Sequence, residues 1–315
     1  MIPVGQHFLD RQKLWQLAAG KTVPLVDVAY AVDPYDGFDV NTALGRLAVD
    51  CASLRRAGCT PRPYLRLDFR PGETLAPEPR YFRQLALVMA TWDTYAPLTV
   101  ILGNEPNHPD EGQLQPPLVA QVVERAVGLR DLLAYPVRLF APAVAPWAPL
   151  NVDTPDDFCP GPSSEWRNQQ YGIARRLADV PIDGYALHTY GRPRHPDDAD
   201  EPFADQLDDR TGQQWGFRWY RDALDAIDAG DPRGLPVIIG ETNTRTDAPS
   251  AQSYPAGWLP AAVRELEAHP AAGRIEGACW FVGESHGSWV DESLKERTGR
   301  LVHADDDLNT LLGRS

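Results

Sequence analysis

Two glutamates stand directly after short apolar runs that end in glycine. The run LTVIL is followed by GNEP, whose glutamate is Glu105, and the run PVII is followed by GET, whose glutamate is Glu241. Glycine leaves room for a ligand or another backbone nearby, and a carboxylate at a crowded position is costly unless it is paired or used. If both glutamates face one cleft, one could act as an acid and the other as a base or nucleophile.

Such a pair of carboxyl groups is what cleavage of a glycosidic bond requires. One carboxyl group, with a raised pKa, protonates the leaving oxygen, and the other attacks the anomeric carbon or activates a water molecule. The two groups lie about 5–5.5 Å apart in retaining enzymes and roughly 6.5–9.5 Å apart in inverting ones. The sequence leaves this separation open.

The fold must bring the two apolar runs together, and the pattern around them predicts how. Short β-branched or apolar runs alternate with longer runs of helical periodicity along the whole chain. Because parallel strands need a crossover helix, eight such units predict a closed (β/α)8 TIM barrel that occupies 1–315 as a single domain. A doubly wound sheet is disfavoured, since no G-x-G-x-x-G opens the first helix. The predicted strands are 4–9, 23–31, 63–69, 98–103, 137–144, 184–188, 235–240 and 275–282.

Longer periodic runs supply the predicted helices between these strands. They are 13–19, 41–57, 81–95, 118–133, 165–178, 215–229 and 259–268, with a short closing helix at 308–312. The stretch 195–210 is rich in Asp and Pro and predicts a long loop, either a solvated excursion or a lid over a cleft.

Barrel enzymes place their catalytic groups at the C-terminal ends of strands. Strands four and seven lie on opposite sides of an eight-stranded mouth, so Glu105 and Glu241 are expected to face each other. The other candidates at predicted strand ends are Asn104, Arg66, Asp68, His188, Tyr190, Asn243 and Trp280, with His7 and Trp147 weaker and Glu284 a rival carboxylate. Two pairs have a structural alternative: Arg66 with Asp68 as an internal ion pair, and His188 with Tyr190 as a satisfied core pair.

The ordered set resembles the clan A glycoside hydrolases, which are retaining (β/α)8 barrels. That clan has Asn-Glu, often followed by Pro, at the end of strand four and a glutamate at the end of strand seven. Asn104-Glu105-Pro106 matches the first and Gly240-Glu241 the second. His188-Thr189-Tyr190 resembles the clan's His-x-Tyr at strand six, and Trp280 resembles its strand-eight tryptophan.

The resemblance implies a role for each residue. Glu241 would be the nucleophile, Glu105 the general acid/base, and Asn104 the partner of the sugar 2-hydroxyl. Tyr190 would hydrogen-bond Glu241, and Trp280 would form the sugar platform. One departure is plain: many members carry an arginine near the end of strand two, where 23–33 has none, so Arg66 of strand three is the candidate replacement. No metal and no organic cofactor are implied.

Net charge and composition limit the classes of molecule that this chain is expected to bind. The net charge of −14 and the pI of about 4.9 would repel a phosphate backbone, so nucleic acid is not an expected partner. A neutral oligo- or polysaccharide is compatible with that surface. The cysteines lack zinc-site spacing and are expected to be small buried residues: Cys51, Cys59, Cys159 and Cys279.

No apolar run reaches the roughly 18 residues that a membrane span needs, so no membrane partner is expected. The first residues lack a basic segment followed by an apolar one, so the chain as given is expected to be cytoplasmic. A longer, secreted precursor is equally compatible with the sequence. Oligomeric state is left open.

Two other functions fit the same pattern. A carbohydrate-binding barrel that has lost catalysis is the main alternative, and the presence of both glutamates argues against it. The second is a different barrel hydrolase or lyase with the same rim carboxylates. A metal-dependent hydrolase is disfavoured, because His7, His188 and Asp68 make a poor ligand set. The sugar, the linkage and internal or terminal cleavage depend on loop shape and are left open.

Overall fold

The computed structural model describes most of the barrel but not every loop. The described residues are 2–7, 19–30, 38–68, 79–90, 92, 97–146, 148, 150, 152–161, 165–190, 206–207, 214–215, 217–242, 257–281, 306–307 and 310–311. Asn243, Trp147, Glu284 and nearly all of 195–210 lie outside them, as does the side chain of His7.

Eight parallel strands close into a barrel, as the sequence predicts. Each strand pairs with its neighbours in the sequence, and the first pairs with the last. The strands are β1 Val4–His7, β2 Thr22–Tyr30, β3 Thr60–Asp68, β4 Leu98–Leu102, β5 Val137–Ala141, β6 Gly184–His188, β7 Val237–Thr242 and β8 Ile275–Trp280.

Among the described residues, helices connect the successive strands from β2 to β8 on the outside of the barrel. They are α1 Phe38–Arg56, α2 Pro79–Met89, α3 Pro116–Ala126, α4 Leu129–Leu132, α5 Glu165–Leu177, α6 Trp219–Gly230 and α7 Trp258–Ala268. The chain leaves α1 at Gly58, whose φ of 76° suits the left-handed end of a helix. None of the described helices is long and apolar enough to cross a membrane.

Several helix boundaries differ from the prediction; α2, for instance, begins at Pro79 and ends at Met89, whereas the sequence predicts 81–95. The predicted helix 118–133 is divided into α3 and α4, which Val127 and Gly128 separate. The predicted helix 215–229 begins only at Trp219, because Trp215 lies in a short strand, Gln214–Trp215, that pairs antiparallel with Gln206–Leu207. A local antiparallel pairing with a nearby segment of the chain therefore overrides the helical spacing of the tryptophans.

Alternation along the strands gives two apolar layers. One fills the barrel interior with Val26, Tyr64, Ile101, Phe140, Ala143, Ala186, Ile238 and Cys279. The larger layer lies between the barrel and its helices. All four cysteines are buried, as predicted.

A partly buried ion pair lies at the N-terminal end of the barrel. Arg138 of β5 donates two hydrogen bonds, of 2.8 and 2.9 Å, to the carboxylate of Glu276 at the start of β8. The Tyr64 hydroxyl donates to the same carboxylate at 2.9 Å. These three polar groups thus satisfy one another.

Candidate active site

A β-bulge in β7 turns Glu241 toward the inside of the barrel. Leu187 of β6 pairs with Ile239, but the next residue, His188, pairs with Glu241, so Gly240 is an extra residue in β7. The pairing with β8 shifts by one residue at the same place. Ile239 packs in the outer layer. Without the bulge, strict alternation would place Glu241, two residues later, on that same outer side of the barrel. A bulge of this kind re-aims a side chain.

A strained turn after β4 presents the other carboxylate. Gly103 has a φ of 107° and Glu105 a φ of 33°. Positive φ at a non-glycine residue costs of order 1–3 kcal/mol and is found where the surroundings hold a functional group in place. Glu105 is 7% exposed and Glu241 is 5% exposed. The backbone therefore directs two buried carboxylates into the mouth from β4 and β7.

His188, at the end of β6, lies between the two carboxylates. Its Nδ1 is 2.8 Å from Oε1 of Glu105 and 3.6 Å from Oε2 of Glu241. One side-chain oxygen from each glutamate and one ring nitrogen of the histidine all lie within 4.8 Å of one another. The structure thus brings Glu105, Glu241 and His188 into one cluster.

Both oxygens of Glu241 accept hydrogen bonds from donors that the sequence named. Nη1 of Arg66, on β3, donates to Oε1, and the Tyr190 hydroxyl donates to Oε2. Burial, together with the charges of Glu241 and Glu105, raises the pKa of Tyr190, so its hydroxyl keeps the proton that it donates. These contacts favour the ionised form of Glu241.

Asp68 orients Arg66 from two residues away on β3. The guanidinium donates to both Asp68 oxygens, at 2.8 and 3.0 Å. Burial alone would lower the pKa of Arg66, but the carboxylates of Asp68 and Glu241 raise it, so the group stays a cation. Burial in turn raises the pKa of Asp68, against the effect of Arg66. Arg66 therefore has both of the roles that its sequence position allowed: it forms an ion pair with Asp68, and it contacts the candidate site through Glu241.

Glu111 is a further carboxylate at the mouth that the sequence analysis missed. It ends a short 3-10 helix, Pro109–Glu111, and its Oε1 accepts a hydrogen bond of 3.1 Å from Nδ2 of Asn104. Burial, and then the charge of Asp68, raises the pKa of Glu111 to about 7. No periodic pattern marks an irregular turn, so only the acidic residue shortly after Asn-Glu-Pro could have drawn attention to it.

Asn107 fixes the turn that carries Glu105. Its amide is completely buried and donates 2.7 Å hydrogen bonds to the carbonyls of Ala145 and Ala148, while its oxygen accepts from the Ala145 N–H at 2.8 Å. One side chain therefore ties the loop after β4 to the loop after β5. No sequence pattern marks Asn107 for this role.

Trp280 does not join the cluster. It is 0% exposed and packs in the outer apolar layer, while its neighbour Cys279 points into the barrel. A sugar platform must offer an accessible ring face, which Trp280 lacks in this structure. Period-two alternation carries Phe281 rather than Trp280 toward the inside. The sequence of a strand does not say which of two neighbouring residues faces inward. The inward position predicted for Trp280 is therefore not the one observed.

The cluster could offer three ligand atoms to a cation, one each from Glu105, His188 and Glu241. The chemistry of the donor set argues against that use. Both oxygens of Glu241 already accept hydrogen bonds, and the fixed positive charge of Arg66 would repel a metal ion at close range. The arrangement suits proton transfer and nucleophilic attack better.

Comparisons with solved structures find the same fold. A GH128 (subgroup II) endo-beta-1,3-glucanase from Pseudomonas viridiflava is 17% identical, with 100% of this chain and 97% of that chain covered and a TM-score of 0.53. The corresponding enzyme from Sorangium cellulosum is 14% identical, with 100% and 97% covered and a TM-score of 0.52. A GH5_18 protein from Streptomyces cattleya, solved in complex with GlcNAc, is 15% identical, with 100% and 82% covered and a TM-score of 0.55.

Sequence comparison alone finds no relative. No protein-family profile matches the chain, and no curated protein matches it. The likeness to these solved structures therefore confirms the (β/α)8 barrel that the sequence predicts. At 14–17% identity it establishes the fold alone and leaves the activity to the chemistry of the site.

Proposed function

We propose that this protein is a retaining glycoside hydrolase in which Glu241 is the nucleophile and Glu105 the general acid/base. One observation carries the proposal: a carboxylate oxygen of Glu105 lies within 4.8 Å of one from Glu241 across the mouth. Retaining enzymes hold the pair about 5–5.5 Å apart, whereas inverting enzymes need roughly 6.5–9.5 Å to admit a water molecule. The short separation favours direct attack by a carboxylate.

The partners of the two glutamates support this division of roles. Glu241 accepts from the Arg66 cation and from the Tyr190 hydroxyl, and both contacts stabilise the anion that a nucleophile must be. Glu105 is bonded instead to His188, whose Nδ1 can donate to a carboxylate or accept from a carboxylic acid. Such a partner suits a group that gains and loses a proton in each cycle.

The proposed reaction has two displacements. The Glu105 carboxylic acid gives its proton to the leaving oxygen while Glu241 attacks the anomeric carbon, which forms a glycosyl-enzyme and breaks the glycosidic bond. The Glu105 carboxylate then takes a proton from water as that water attacks the same carbon and releases Glu241. Asn104 would bind the 2-hydroxyl of the sugar.

The proposed substrate is an oligo- or polysaccharide. Two proteins of similar fold are described as endo-beta-1,3-glucanases, so β-1,3-glucans are the first substrates to try. The net charge of −14 suits a neutral glycan and disfavours nucleic acid.

Chemical rescue tests the proposal on a substrate that the wild type cleaves. Glu241→Ala and Glu105→Ala should each lower kcat by at least ~10³-fold, while Glu124→Ala, a change at an exposed position of α3, should not. Azide should restore turnover with an aryl glycoside. Glu241→Ala should give a glycosyl azide of inverted configuration, after one displacement, and Glu105→Ala one of retained configuration, after two.

Two outcomes would contradict the proposal. If both glutamate variants keep the wild-type rate, the assignment of the pair is wrong. If the wild type binds a glycan from a broad panel but cleaves none, the chain is a carbohydrate-binding barrel without catalysis.

A further inference from the structure

Only the NH₂ end of the Asn104 amide has a hydrogen-bond partner among the described residues. Its Nδ2 donates to Glu111, and its Oδ1 is buried without a hydrogen-bond partner among the described residues. An ionised carboxylate has no proton to give, so it can bind the NH₂ end of an amide but not the oxygen end. Glu111 therefore fixes which end of the Asn104 amide is left for another molecule.

We propose that Glu111 is a positioning residue that turns the Asn104 amide oxygen toward the substrate, so that the site selects a sugar with a hydrogen-bond donor at the position Asn104 contacts. The inference rests on the proposed function and deepens it. A buried acceptor without a donor costs about 1–3 kcal/mol, and a hydroxyl of the bound sugar would supply that donor. A sugar lacking that hydroxyl would leave Oδ1 unsatisfied.

The loop after β4 holds Glu111 rigidly relative to Glu105. The His108 N–H donates to the Glu105 carbonyl at 2.7 Å, and the Glu111 N–H donates to the His108 carbonyl at 3.0 Å. Gly112 and Gln113 then turn the chain with φ of 103° and 50°. The acid/base and the positioning carboxylate thus belong to one compact turn.

Protonation of Glu111 would change the amide's orientation. A carboxylic acid can donate to Oδ1, so the amide could rotate by half a turn and present Nδ2 to the substrate instead. The charged groups that act on Glu111 are Asp68 and Arg66 from β3 and Glu105 from β4, and with burial they place its pKa at about 7. Selection for a donor is therefore expected above pH 7 and should weaken below it.

Paired substrates test the selection. The measured quantity is the ratio of kcat/KM for an aryl glycoside to that for its 2-deoxy analogue, since the intrinsic reactivity difference between them is common to all variants. At pH 8 Glu111→Ala should lower this ratio ~tenfold, because the site loses one hydrogen bond that distinguishes the two substrates. The same change in an Asn104→Ala background should lower it no further. Glu124→Ala is the matched control, and thermal melting checks that each variant folds.

A second measurement needs no substrate. The side-chain amide NMR signals of Asn104, assigned with Asn104→Ala, should titrate near pH 7 in the wild type. Glu111→Gln should abolish that titration, because a glutamine amide does not ionise. An Asn104 signal that ignores both pH and Glu111→Gln would overturn the proposal, as would a Glu111→Ala variant that slows both substrates equally. A chain that shows the titration but cleaves no glycan would refute the proposed function and leave the positioning role standing.

Discussion

Arg66 and Glu241 form a buried ion pair across the mouth of the barrel, from β3 to β7. Asp68 accepts from the same guanidinium, so one cation serves two buried carboxylates. The arginine that reaches Glu241 thus belongs to β3. The bidentate contact with Asp68 fixes the plane of the guanidinium, which lets its remaining Nη1 reach the far strand.

Removing this cation should destabilise the protein. Arg66→Ala leaves Asp68 and Glu241 buried without a counter-charge, and we expect the free energy of unfolding to fall by about 3–5 kcal/mol. Urea unfolding at pH 7 measures the change. The control is Arg175→Ala, because Arg175 and Asp156 form an exposed pair at 3.5 Å, for which the loss should be about 0–1 kcal/mol. Equal losses in the two variants would contradict the account.

Arg66→Lys separates charge from geometry. A lysine keeps the positive charge but lacks the planar fork that binds Asp68 with two donors and Glu241 with a third. We expect most of the stability to remain and kcat to fall by at least ~tenfold, because Glu241, the proposed nucleophile, loses its fixed donor. Steady-state kinetics beside urea unfolding would show the split, and a variant with wild-type kcat would show that charge alone suffices.

Two tyrosines near β6 provide a matched pair for the second donor to Glu241. Tyr190→Phe removes one hydrogen bond to a charged group, so kcat should fall by roughly 10–100-fold with little change in KM. Tyr185 donates to Asp231 at 2.8 Å, in the buried part of the barrel wall. Tyr185→Phe should lower the melting temperature and leave kcat unchanged. If Tyr185→Phe lowered kcat and Tyr190→Phe lowered only the melting temperature, Tyr190 would not belong to the site.

The sequence predicted those strands that continuous apolar runs mark. β4 and β7 are recognisable because their residues are buried on both faces. Glu105, just after β4, and Glu241, near the end of β7, therefore lie at the mouth. Arg66 could be named as a candidate, but not its partners, since two residues 175 positions apart meet only through barrel closure. Local pattern thus predicts which strand end a residue occupies.

Local pattern does not predict the direction of a side chain near a register shift. The extra residue Gly240 decides that Glu241 points inward, and two neighbouring strands must be known before it is visible. Trp280 was misplaced for the same reason, since its strand pairs with β7 across that shift. Glu111 and Asn107 lie on an irregular turn that has no periodic signal: Glu111 bonds to Asn104 within that turn, and Asn107 bonds to the loop after β5.

Two glycines beside the glutamates should respond differently to alanine. Gly103 has a φ of 107°, so Gly103→Ala should cost about 1–3 kcal/mol of stability through backbone strain. At Gly240 a methyl group would lie 3.6 Å from the nearest atom, Nε2 of His188, which is ordinary contact. Gly240→Ala should therefore fold with near-wild-type stability. Urea unfolding of both variants tests this, and a larger loss at Gly240 would show that the bulge itself needs glycine.

Asn107→Ala should damage both stability and activity. It removes three buried hydrogen bonds and leaves polar backbone atoms of Ala145 and Ala148 without that partner. We expect a loss of about 2–5 kcal/mol in unfolding free energy and a fall in kcat, because the turn that carries Glu105 loses its anchor. Asn168→Ala, which removes a single 2.9 Å contact with the Cys159 N–H, should cost less and leave kcat intact. A reversed order of the two losses would argue against the anchor.

The raised pKa of Glu111 gives stability an unusual pH dependence. A pKa that rises from 4.5 in the unfolded chain to about 7 in the fold means that the folded state binds this proton more tightly. The unfolding free energy should therefore be lowered by this group as pH rises from about 5 to 8, the reverse of a salt-bridged carboxylate. Glu111→Gln removes the ionisation, so its stability relative to wild type should increase over that range by about 1 kcal/mol, after allowance for solvent screening. Urea unfolding at pH 5 and pH 8 measures the difference, with Glu124→Gln as the exposed control. A Glu111→Gln effect that is constant with pH would place the shifted titration on another group.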